Sequence, residues 1–149
     1  MSAFVTAGAG FLLAVLWFDL MFDVQTIAHR EHELPEQALA SIAGYYARVT
    51  TAARPMNRLI ALVMLATTAA IVVELTGGQH PDWVPWASLA LAVAPIVLAG
   101  AHTVPSAARL GTRRDPVIRQ SELARSICRE HLFCASCIAA LLALQLGFA

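Results

Sequence analysis

An all-α integral membrane protein, built as an antiparallel four-helix bundle with a short interfacial helix between the first two spans, is what this chain predicts. Three observations lead there. Four apolar runs approach or exceed 20 residues, polar links separate them, and every basic residue lies in or beside two of those links. A helix of about 20 residues is ~30 Å long, the hydrocarbon thickness of a bilayer. Hydrophobic residues make up 58% of the 149 and charged ones 13%, with a mean hydropathy of +0.66, far from soluble composition. One domain suits that length.

The first span covers about residues 3–28. Small residues Ala3, Ala7, Gly8, Gly10 and Ala14 fill its first half, where a neighbouring helix can approach closely. No basic segment precedes it and it runs into Asp19 and Asp23 instead of a small-residue cleavage site, so it reads as a retained helix, not a signal peptide. At 100° per residue, Asp19, Asp23 and Thr26 share a face with Gly8, Leu12 and Leu16, which directs both carboxylates into the bundle.

After the polar link His29-Arg30-Glu31-His32-Glu33-Leu34-Pro35, residues 36–53 read as a short helix, opened by Pro35 and only moderately apolar. An interfacial position is expected, with Tyr45 and Tyr46 at headgroup level. The second span runs over about residues 56–75, with Arg54, Asn57 and Arg58 at its start. Gly77-Gly78-Gln79-His80-Pro81 makes a turn. Trp83 and Trp86 anchor the third span, about residues 83–104, in which Pro95 removes a backbone hydrogen bond and predicts a kink. The fourth covers about residues 121–147, and its first turns carry Arg125, Arg129, Glu130 and His131.

All ten basic residues are arginine, a bias attributable to a GC-rich bacterial genome. Arg30, Arg48, Arg54 and Arg58 flank the first connection. Arg109, Arg113, Arg114, Arg119, Arg125 and Arg129 belong to the third. The positive-inside rule then puts both connections in the cytoplasm and both termini outside, which for a bacterial chain means the inner membrane. Zero formal net charge, with no long basic run, gives no reason to expect nucleic acid.

Asp19 lies about ten residues before the first span's cytoplasmic end, and Glu130 and His131 about nine past the start of the fourth. At ~1.5 Å per residue these depths agree within a turn, so the groups can meet. His102, Arg54, Asn57 and Arg58 lie nearer the rim, outlining a cavity open to the cytoplasm. Two readings of Asp19 and Asp23 follow. Either Arg58, Arg125 or Arg129 neutralises them and the pairs set helix register, or adjacent carboxylates share a proton or a cation.

Glu130, His131 and Cys134 are metal-ligand types on neighbouring helical positions, although a cysteine is equally a small apolar packing residue. Cys134 and Cys137 are too far apart within a helix for a disulfide, and with Cys128 they are too few for a disulfide framework. His102 and His131 on different helices admit axial ligation of a haem. His29, His32 and Glu33 read as a solvated face.

Pro55-Met56-Asn57-Arg58-Leu59, with His102-Thr103-Val104-Pro105, resembles the motifs of small four-helix anthrone-oxygenase-like membrane proteins of bacteria and fungi. That resemblance implies a four-helix bundle, oxidation of aromatic polyketides in some members, and Asn57 and His102 as polar site residues. Three functions remain open. One is an oligomeric proton, cation or small-ligand transporter using Asp19, Asp23, Glu130 and His131. Another is a membrane enzyme on a lipophilic aromatic or quinone substrate, with His102 or His131 as base. A third is an accessory or assembly subunit whose charges serve packing.

Overall fold

The computed structural model describes residues 2–29, 31–52, 54–77 and 81–148, and the side chain of Arg54 lies outside the description. Its helices in chain order are α1 (Ser2–Asp23), α2 (Gln25–Ala28), α3 (Glu36–Ala47), α4 (Arg54–Glu74), α5 (Trp83–Leu98), α6 (Val104–Gly111) and α7 (Val117–Gly147). Four helical stretches are long and apolar enough to cross a membrane: Ser2–Ala28, Pro55–Glu74, Trp83–Gly111 and Val117–Gly147. Arg30, the end of the interfacial helix at Ala53, and Gly78, Gln79 and His80 of the expected turn fall outside the described residues.

Each span packs on its neighbours in sequence, and α7 closes the ring against α1. One core joins Val5, Ala9 and Leu12 of α1, Ala70 and Ile71 of α4, Ala92 of α5, and Ile138 and Leu141 of α7. The beginning of α1 therefore meets the ends of α4 and α7, which makes the neighbours antiparallel. Gly8 permits this approach, because a Cβ there would collide with Thr67 of α4, whereas Gly10 faces open space.

A second core lies at the arginine-bearing end, where Leu34, Leu39, Ile42, Ala43 and Tyr46 pack against Ala107, Leu110, Leu123, Ala124 and Ile127. Length explains it. A helix of 31 residues such as α7 is ~46 Å long, about 16 Å more than the hydrocarbon needs. Counted back from Gly147, the bilayer's share ends near Ile127, so the first turns of α7 project and are covered by α3 and α6. The backbones of α3 and α6 touch at Gly111, where a Cβ would stand 2.9 Å from the Ala47 nitrogen. Tyr46 is thus a core residue at 2% exposure, not a headgroup anchor, because α3 packs its apolar side on this cap.

The third span continues past residue 104 into α6 through a π-helical turn at Ala99–Thr103. Helix persists through Pro95. The irregular turn instead precedes Pro105, which has no N–H to donate to the carbonyl four residues back and whose ring crowds that carbonyl.

At the opposite end, Gln145 donates to Glu74 Oε2 at 3.2 Å and to Ser88 Oγ at 3.0 Å, tying α7 to α4 and α5. All three side chains are buried. Removing that donor with Gln145→Leu is expected to destabilise by about 1–3 kcal/mol in detergent unfolding, since Glu74 loses its hydrogen-bond partner. Gly111→Ala should cost about 1–3 kcal/mol through overpacking against backbone. Gly10→Ala should be neutral or slightly stabilising by thermal unfolding; equal effects at the two glycines would contradict the close α3–α6 approach.

Candidate functional site

Asp23 ends α1 with no exposed surface. An ionised carboxylate in such a place needs donors, and two reach it from different helices. Tyr46 of α3 donates to Oδ1 at 2.6 Å, and His131 Nδ1 of α7 stands 2.6 Å from Oδ2. The Tyr46 hydroxyl also lies 3.4 Å from that imidazole nitrogen. One turn earlier, Asp19 Oδ1 accepts from Tyr45 at 2.6 Å, while its Oδ2 is 3.9 Å from His131 Nε2. The Tyr45 ring stacks on Phe22 at 4.2 Å between centroids. With Nδ1–H directed at Asp23, His131 turns its other nitrogen toward Asp19, so one ring bridges both carboxylates.

Local sequence builds this arrangement. Asp19 and Asp23 are four residues apart and therefore stack on one face of α1. Beyond Asp23 the helix breaks at Val24, and Thr26 donates to the Asp23 carbonyl at 2.8 Å. Tyr45 and Tyr46 are consecutive, with rings 5.3 Å apart and edge-on, so the pair reaches both acids from one turn of α3. Burial first, and then the acids themselves, push both phenols far above their usual range, so each remains a donor at any physiological pH.

Glu130 belongs to a different cluster. It accepts from Thr103 at 2.6 Å and Ser126 at 2.9 Å and pairs with His102 Nδ1 at 2.7 Å. Consecutive helical residues diverge by about 100°, so Glu130 faces the π-turn while His131 faces α1. Among the described residues no group of three or more His, Cys, Asp or Glu is placed to hold a metal ion. Glu130, His131 and Cys134 therefore do not converge as ligands. His131 pairs through Nδ1 with Asp23 and His102 through Nδ1 with Glu130, so the two histidines belong to separate clusters. Cys128, Cys134 and Cys137 are free thiols.

Among the described residues, Arg58, Arg125 and Arg129 make no ion pair with Asp19 or Asp23. Arg125 instead donates to the backbone carbonyls of His29, Glu31 and His32, fastening the link after α2. Arg58 and Arg129 are exposed, and Asn57, also exposed, donates to the Val49 carbonyl within the π-turn that follows α3. Of the expected rim residues, His102, Asn57 and Arg58 consequently do not join Asp19, Asp23 and His131 around an open cavity, whereas Tyr45 and Tyr46 do contact the acids; the Arg54 side chain lies outside the described residues. Tyr45, Tyr46, Thr103 and Ser126 are the partners that sequence reasoning missed. Two adjacent phenols opposite two acids one turn apart were the available signal.

Fold and site together define a polytopic membrane protein whose buried Asp23 and His131 are paired internally across a seam of three helices. The chain belongs to the SHR3 chaperone family: the family model, described as ER membrane protein SH3, matches residues 1–149. No curated protein and no solved structure matches the chain. This whole-chain match corrects two expectations. The resemblance to anthrone-oxygenase-like proteins rested on two short motifs, and Asn57 and His102 serve separate local contacts in the structure. A bacterial inner-membrane location, inferred from arginine usage and positive-inside counting, gives way to a family of the ER membrane; neither signal distinguishes the two membranes physically.

A double-mutant cycle tests the seam. His131→Ala alone removes one of the two side-chain partners of buried Asp23 and should cost about 1–3 kcal/mol. Combined with Asp23→Asn, the loss should fall well below the sum of the single substitutions in equilibrium unfolding. Strict additivity would remove the proposed coupling.

Proposed function

We propose that the protein is an assembly chaperone of the ER membrane, holding other polytopic membrane proteins during their folding or association. The carrying observation is the family match over residues 1–149. Two structural features support this reading over transport. Asp23 and His131 are spent on each other and on Tyr46, which gives the acids a fixed partner set in place of an exchangeable one. The lateral surface of the first two spans is the least buried of the bundle, with Phe4, Trp17, Phe18, Leu62 and Leu65 outward. Such a face can lie against a client's apolar helices or, between clients, against lipid.

Depletion tests the role. In cells lacking the protein, a subset of polytopic membrane proteins should shift into high-mass aggregates on native gels within ER fractions, and re-expression should restore them. An unchanged client profile would reject the proposal. Proton or cation flux in liposomes containing only this protein, abolished by Asp19→Asn, would favour transport in its place.

A further inference from the structure

Behind the seam, toward the membrane surface, a groove of about 360 Å³ runs between α2 and α7, lined by Thr26, Ile27, Glu122, Arg125, Cys128, Arg129 and Leu132. Its chemistry changes along its length. Arg125 and Arg129 are one turn apart on α7, so their guanidinium groups lie on one face. Ile27 and Leu132 add an apolar wall, both exposed, and Met21, Val24 and Phe133 close to them in sequence are exposed as well.

Charge in the groove is unbalanced. Glu122 is already paired with Arg119 at 2.7 Å. Arg125 spends its donors on neutral carbonyls, which leaves its charge uncompensated. Arg129 makes no ion pair and no hydrogen bond among the described residues. Length places the pair vertically. About 20 residues back from Gly147 the hydrocarbon ends near Ile127, so Arg125 and Arg129 straddle the depth at which phospholipid phosphates begin. A guanidinium is suited to the bidentate grip of a phosphate, and its aliphatic stem tolerates the apolar side of that boundary.

We propose that this groove binds an anionic phospholipid, its phosphate held by Arg129 and Arg125 and the upper part of an acyl chain lying along Ile27 and Leu132. Charge complementarity above an exposed apolar stripe selects a lipid over a soluble anion, which would leave that stripe unused. Arg129 is the residue to vary, since Arg125 also fastens the link after α2.

The test is native mass spectrometry of the full chain titrated with phosphatidylinositol or phosphatidylcholine. Wild type should prefer phosphatidylinositol, and Arg129→Gln should weaken that binding about fivefold, the size expected for one arginine at an anionic membrane surface. Arg129→Lys should keep most of the preference and Arg109→Gln all of it, with circular dichroism checking that each variant is folded. No preference between the lipids, or undiminished binding by folded Arg129→Gln, overturns the proposal. So does equal competition by glycerol 3-phosphate, which would make the site one for free phosphate. Displacement of the lipid only by an acidic client helix, without any lipid preference, would make it a protein-docking site and overturn the proposal as well.

Discussion

A carboxylate with no exposed surface, placed where the first span leaves the bilayer, constrains most of what surrounds it. A buried carboxyl needs hydrogen-bond partners, and the chain brings one from α3 and another from α7. Three segments far apart in sequence must therefore hold a common register. Burying such a group rarely adds net stability, because desolvation offsets most of the attraction. It penalises alternatives instead: a helix slipped by one residue would turn the acid away from both partners.

The two cores divide the remaining work. Within the bilayer, small residues and aliphatic side chains let α1, α4, α5 and α7 close into a ring, where packing and not hydrophobic exclusion drives association. Above it, the excess length of α7 creates apolar surface that lipid does not cover, and α3 with α6 removes that surface from water. The Asp23 seam lies between these regimes. It joins a lipid-solvated bundle to a water-solvated cap, which explains why its donors come from one helix of each.

Much of the fold was legible in the sequence, because span length and apolar composition are set by bilayer thickness and need no tertiary knowledge. The common depth of Asp19, Asp23 and His131 was legible for the same reason, a fixed rise per residue. What escaped were features decided by packing between segments. Tyr45 and Tyr46 look like interfacial aromatics by composition, and only the docking of α3 on α7 turns them inward. Arg125 looked like a counter-ion by charge, yet backbone carbonyls at the end of α2 claim it first. Pro95 drew attention as a source of a kink, while the π-turn stands ahead of Pro105, at an apparent helix end. Location fared worst, since arginine counting reports a membrane's cytoplasmic side and says nothing of which organelle owns it.

The π-turn at Ala99–Thr103 gives the third span two personalities. One inserted residue advances the helical phase by about 100°, so the face that α5 turns toward α4 and α7 is not the face that α6 turns toward α3. A single rod thereby serves both the bundle and the cap, and Thr103 is delivered to Glu130 at the switch. Loss of one residue in that turn would preserve every side chain on either side of it and still misdirect the whole of α6. The spacing between Pro95 and Pro105 is thus a quantity the fold reads as strictly as any residue identity, a gear-tooth count in place of a contact.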